Sequence, residues 1–112
     1  MKYVCFVYGE EPLMQTIDDR ECLANGEALR QAGHYVAAES LQPASRAATV
    51  RVRHGKVSVT DGPFAEAKEM IAGFYLIEAR DLEEAIALAA KIPPARVGAI
   101  EVRPVRELAG GV

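Results

Sequence analysis

Residues 3–8 read Tyr-Val-Cys-Phe-Val-Tyr, apolar at every position. Successive side chains of an extended strand point to opposite faces. Tyr3, Cys5 and Val7 therefore share one face, and Val4, Phe6 and Tyr8 share the other. A strand that is apolar at both parities needs a cover on both sides. This run places a doubly covered strand at the start of the chain.

The remaining elements can be read outward from it. Residues 9–12 read as a loop. Thr16-Ile17-Asp18-Asp19 has the form of an N-cap followed by acids, predicting a helix over 17–32 that stops at Gly33. The Asn25-Gly26 pair inside that span is also a turn signal. Residues 34–40 read as a strand and 41–48 as a loop. Residues 49–60 predict a hairpin turning at His54-Gly55. Its register puts Val52 opposite Val57 and Val50 opposite Val59, so the valines share a face expected to be buried. Arg51, Arg53, Lys56 and Ser58 take the other face.

After a turn at 61–64 comes a helical turn over 65–70, then a strand over 73–79. Asp81 with Glu84 makes a capping box for a helix whose stripe is Leu82, Ala85, Ile86, Ala89 and Ala90. Pro93-Pro94 ends that helix. The last strand covers 99–105, with Pro104 placing its far end at a sheet edge or outside the sheet. Residues 108–112 read as a frayed tail.

The order is β-α-β, hairpin, β-α-β. The predicted fold class is α+β: a ferredoxin-like split βαβ with an antiparallel sheet and an inserted β-hairpin. Two helices then cover one face of the sheet. The opposite face is partly apolar because of the first strand, and a bare apolar face marks an association surface or a ligand chamber. The expectation is a homodimer with two sheets packed face to face.

The 112 residues suit one domain, taken as 1–112, and half of them are apolar. A net charge of −3 and a chain without Trp, carrying three Phe and four Tyr, argue against nucleic acid as partner. Cys5 and Cys22 belong to no metal or redox spacing and read as reduced and buried. The opening residues do not have the form of a signal peptide, and no apolar run is long enough to span a membrane. These readings place the chain in the cytoplasm. The sequence contains no nucleotide-binding motif, zinc spacing or nucleophile elbow, so no cofactor or metal is expected.

The sharpest local signal is Thr60-Asp61-Gly62-Pro63-Phe64-Ala65-Glu66-Ala67-Lys68-Glu69. Gly62 permits unusual backbone angles and Pro63 stiffens the chain beyond it. Asp61 is thereby held beside the apolar wall of Phe64, the setting that general acid–base chemistry uses. An Asp opening a turn also commonly bonds its own backbone, and Phe64 can be core. Both readings stand on the residues alone.

That run resembles the signature of the YCII-related, or DGPF-domain, family. Matches extend over nearly the whole chain, through Leu41-Gln42-Pro43, Val50-Arg51-Val52-Arg53, Gly73-Phe74-Tyr75-Leu76-Ile77 and Glu101-Val102-Arg103-Pro104-Val105. The resemblance implies a ferredoxin-like fold pairing into a dimeric α/β barrel. It also implies kinship with a cofactor-independent dehydrochlorinase acting on a chlorinated hydroxyquinol and with a lactone isomerase of related architecture. Most members have no established reaction, and many are encoded beside extracytoplasmic-function sigma factors, which implies a regulatory setting. One branch of the family carries a His–Asp pair. The chain has only His34 and His54, and neither matches that histidine, so the resemblance carries over Asp61 alone.

Further candidates come from strand parity. Glu101 and Arg103 share a face of the last strand, inviting pairing with each other or with an anionic ligand. Tyr75 is either a chamber wall or core, and Glu39 either faces Asp61 or is an exposed strand end. Two functions are compatible with these residues. In the first, Asp61 is the acid or base of a cofactor-free isomerisation or elimination on a small anionic or phenolic metabolite, with Arg103 as anchor and Phe64 and Tyr75 as walls. In the second, the protein is a non-catalytic ligand-sensing or regulatory module that contacts a sigma factor, the basic hairpin face being its surface.

Overall fold

The computed structural model describes residues 1–110. The chain runs β1 (Lys2–Gly9), α1 (Glu11–Met14), α2 (Asp19–Gln31), β2 (Tyr35–Ser40), β3 (Ala48–Arg53), β4 (Lys56–Asp61), β5 (Met70–Glu78), α3 (Leu82–Ala89) and β6 (Ala99–Pro104). Short 3-10 helices lie at Ala44–Arg46 and Pro93–Arg96. The main sheet has the order β2-β5-β1-β6, with every neighbouring pair antiparallel. Without the β3–β4 hairpin this is the ferredoxin-like split βαβ, as the element order predicts. The doubly apolar β1 is a central strand and Pro104 lies on the edge strand β6, as their sequences require.

The core lies between the sheet and the helices. Tyr3, Cys5 and Val7 from β1 meet Tyr75 and Ile77 from β5, with Leu29, Ala85, Ala89 and Ile92 closing over them. Cys5 is fully buried, and desolvation pushes its thiol up to about 11. Helix α3 lies close because its inward residues are alanines. Leu88 joins Ala85 and Ala89 there, whereas Leu82 and Ile86, assigned to the apolar stripe from sequence, are about half exposed.

Several local expectations change. Asp18, not Thr16, caps the long helix by accepting the Arg20 N–H at 2.8 Å. Thr16 instead closes a preceding helical turn, α1, in a segment expected to be loop, donating to the Leu13 carbonyl at 2.6 Å. Asn25-Gly26 stays helical. Residues 65–69 form bends with no helical turn. At the chain end, residues 108–110 have neither helix nor strand, and the rest of the expected tail lies outside the described residues.

The hairpin keeps its predicted register, Val52 opposite Val57 and Val50 opposite Val59. His54 and Gly55 both have positive φ, 52° and 73°, which matches the twist of a two-residue hairpin turn. Its valine face is not buried within the chain: the four valines are 57–67 % exposed. The alternation showed which residues share a face but not what covers it. Here β3 and β4 form a separate two-stranded sheet that leaves the body of the molecule.

Candidate functional site

The face of the sheet away from the helices is set by the register. Val4, Phe6 and Tyr8 of β1 lie beside Phe74 and Leu76 of β5 and beside Glu101 and Arg103 of β6. None of these is fully buried. The Tyr8 hydroxyl donates to Glu101 Oε1 at 3.2 Å. Arg103 holds the other oxygen, Oε2, from Nε at 3.1 Å and also from Nη2. The guanidinium of Arg103 lies 5.8 Å from the centroid of the Phe6 ring.

These contacts set the charge states. The Arg103 hydrogen bonds hold the Glu101 carboxyl below the usual glutamate range, with the Tyr8 hydroxyl adding to the effect. Desolvation, then the bond to ionised Glu101, raises the Tyr8 hydroxyl. At neutral pH Tyr8 is thus a neutral phenol, able to donate or accept a hydrogen bond, beside an ionised Glu101 and a cationic Arg103.

Tyr8 also lines a groove of about 760 Å³. Its other walls are Leu41 and Pro43 before β3, Pro63 and Phe64 after β4, and Met70 and Ile71 at the start of β5. The loop carrying Phe64 is anchored at Gly62, where φ is 104°. The Gly62 N–H donates to the Ala47 carbonyl at 2.7 Å, and Thr49 Oγ1 donates to the Gly62 carbonyl at 3.0 Å. Phe64 is 79 % exposed and lies under the Arg51 guanidinium, 5.4 Å from its ring centroid. At the far end of β1, a Cβ at Gly98 would come within 2.1 Å of the Tyr8 carbonyl oxygen, so close approach of β6 to Tyr8 requires glycine there.

A family profile for the YCII-related domain matches residues 1–109. The chain belongs to the YCII-related family. This YCII-related chain is 43 % identical over 115 residues to an uncharacterised protein of Rhizobium meliloti (strain 1021), spanning 93 % of this chain and 91 % of that protein. The fold is similar to that of the 5-chloro-2-hydroxyhydroquinone dehydrochlorinase of Burkholderia phenoliruptrix AC1100, solved with 2,5-dihydroxybenzoquinone. The TM-score is 0.58 at 17 % identity, with both chains fully covered.

In this YCII-related chain the candidates from sequence fall into separate places. Phe64 lines the Tyr8 groove, and through Tyr8 it is linked to Glu101 and Arg103. Asp61 ends β4 opposite Ala48; its side chain is exposed and does not line that groove. Glu39 is paired with Phe74 in the main sheet, whereas Asp61 is in the hairpin, so the sheet does not place them opposite each other. Tyr75 is opposite Cys5 on the helix side and is buried, away from the face that carries Glu101 and Arg103. His34 accepts the Glu78 N–H at its carbonyl and donates from Nδ1 to the Glu78 carbonyl, both at 2.8 Å, at the end of β5 far from the Asp61 loop. His54 is at the hairpin tip. Among the described residues no three His, Cys, Asp or Glu side chains gather in a metal-holding group. Sequence reasoning missed Tyr8 as a site residue. The signal for it was its position on the same face as Phe6, at the end of β1 nearest the conspicuous loop.

Proposed function

We propose that the protein binds a small anionic or phenolic metabolite in the groove between Tyr8 and Phe64 and carries out cofactor-free acid–base isomerisation or elimination there. The observation that carries this reading is the position of Tyr8, which lines the groove and is joined to Glu101 and Arg103. A phenolic oxygen can exchange hydrogen bonds with the Tyr8 hydroxyl, and Arg103 offers charge to an anion. Phe64 supplies an apolar wall. Asp61, which stands outside the groove lining where the loop leaves the hairpin, is proposed as the base for a ligand that projects from the groove past Phe64. The structural neighbour's quinone ligand is of the same chemical class as the proposed one.

Homodimerisation is part of this proposal. The sheet face around Phe6 and Phe74 and the valine face of the hairpin are both uncovered in one chain, and a second copy would cover them. A second, regulatory reading is favoured by the exposed hairpin alone, which offers valines on one face and Arg51 and Arg53 on the other to a protein such as a sigma factor. For either function we place the protein in the cytoplasm, where its two cysteines stay reduced; no described helix is long and apolar enough to cross a membrane.

Thermal shift with 4-hydroxybenzoate tests the first reading. A ligand that binds the folded state raises the melting temperature by mass action. The wild type is expected to gain stability, with Tyr8→Phe about tenfold weaker in apparent Kd, since a lost hydrogen bond to a charged partner is worth roughly 1.5 kcal/mol or more. Equal shifts in both proteins would reject the groove as the site. Turnover that survives intact in Asp61→Asn would reject Asp61 as the base.

A further inference from the structure

The Tyr8 hydroxyl has one proton to donate, and Glu101 takes it. Arg103 keeps Glu101 ionised, so the direction of that bond is fixed. Toward the groove Tyr8 therefore offers lone pairs, which accept from an O–H. A ligand phenol docks there as the protonated donor. A phenolate would bring its charge beside ionised Glu101 with no proton to share. A negative charge on the ligand needs a different partner.

Arg103 does not supply that partner from within the groove. Two of its nitrogens are engaged by Glu101 Oε2, and it is not part of the lining. The charged side chains that do line the groove are Arg46 and Glu69. Both are exposed, and neither makes an ion pair among the described residues. The Arg46 backbone is pinned in the 3-10 turn Ala44–Arg46, its N–H donating to the Pro43 carbonyl at 2.9 Å. The next carbonyl, that of Ala47, accepts the Gly62 N–H that anchors the Phe64 loop. One hydrogen-bonded clamp thus holds the arginine and the aromatic wall to the same groove.

The other direction is closed to an anion. Leu41 to Ala44, with Met70 and Ile71, continue the groove toward α2, where Glu10, Glu11, Asp19, Glu27 and Glu39 line it. The cations of that stretch, Arg30 and Lys68, are paired with Glu27 at 2.7 Å and Glu10 at 3.9 Å. Among the described residues along the whole groove, Arg46 is the cation left without a carboxylate partner.

We propose that Arg46 selects for a carboxylate on the ligand, so that the groove takes a hydroxyaryl carboxylic acid with its neutral phenol donating to Tyr8 and its carboxylate bound by the Arg46 guanidinium. This rests on ligand binding beside Tyr8 and narrows the class that binds there. The planar guanidinium suits a carboxylate through two parallel N–H bonds. Glu69 repels the carboxylate, which leaves Arg46 as its anchor.

The probes are 4-hydroxybenzoate and 4-hydroxyphenylacetate, each beside its neutral amide, titrated by calorimetry into wild type, Arg46→Gln and Arg46→Lys. Wild type is expected to bind at least one acid about tenfold more tightly than its amide, the worth of a charge-assisted hydrogen bond. Arg46→Gln is expected to bind acid and amide alike, with the Kd of the amide unchanged. Arg46→Lys is expected to keep part of the preference, since a point charge remains without the fork. Arg46 is exposed and makes no side-chain hydrogen bond among the described residues, so both variants are expected to melt with wild type. Equal binding of acids and amides by wild type, or a preference that survives in Arg46→Gln, overturns the proposal and leaves the groove beside Tyr8 in place. Binding of neither acids nor amides overturns the groove itself as a phenol site, and this proposal with it.

Discussion

Arg103 is held to Glu101 by two hydrogen bonds, so its removal can be read at a single carboxyl. A carboxyl whose pKa is depressed on folding contributes stability above its unfolded value, and loses it as pH falls through the folded value. Glu101 is depressed chiefly by Arg103. In Arg103→Gln the Glu101 titration midpoint, followed by carboxyl carbon NMR, is expected to move up toward the usual glutamate value. An unmoved midpoint would show that Arg103 does not set the charge state of Glu101. At this scale the sequence was half legible. Strand alternation alone put Glu101 and Arg103 on one face. It could not put Tyr75 on the opposite side of the sheet, because that depends on its pairing with Cys5 across strands distant in sequence.

Among the elements, the cap read at Asp81 is present, but Glu84 reaches back one residue further than a capping box requires, to the Arg80 N–H and not to that of Asp81. Asp81 Oδ1 accepts the Glu84 N–H at 2.9 Å, and Glu84 Oε1 accepts the Arg80 N–H at 2.8 Å. Asp81→Ala is expected to destabilise the fold by about 1 kcal/mol, the usual cost of a lost N-cap, measured by urea unfolding. A change within error would mean that packing of Ala85 and Ala89 holds α3 without its cap. The start of α2 was misplaced because Thr16 and Asp18 are both good caps two residues apart, and the short α1, with Pro12 in its first turn, claims the threonine. The hairpin turn and register were legible because they are local. The absence of a cover was not, since a two-stranded ribbon is only marginally stable alone and its sequence looks the same whether its own chain or another buries it.

The whole molecule is flat and extended, 46 × 41 × 19 Å, with a radius of gyration of 15.7 Å. A compact chain of this length would have a radius near about 13 Å. The excess fits a hairpin that leaves the body, with roughly 1 kcal/mol or more per valine still to be gained by burial. The proposed dimer is therefore testable at the open sheet face. Leu76→Glu, placed beside Val4 there, is expected to sediment as a monomer at concentrations where wild type is a dimer. Matching masses for the two proteins would remove this face from the interface. The two-layer fold was legible from the order of elements, whereas the projecting arm was not, because its valines suggested a core they do not join in this chain.

The position of Cys5 has a consequence for how the molecule can be watched. Its sulfur lies on a central strand beneath the helix layer, and neither a swing of the hairpin nor fraying of α1 uncovers it. Only parting of the helices from the sheet does so, and burial keeps the thiol protonated until then. Alkylation of Cys5 therefore clocks the global opening of the fold. Cys22, half-buried on α2, offers a second clock in the same chain for local opening of that helix.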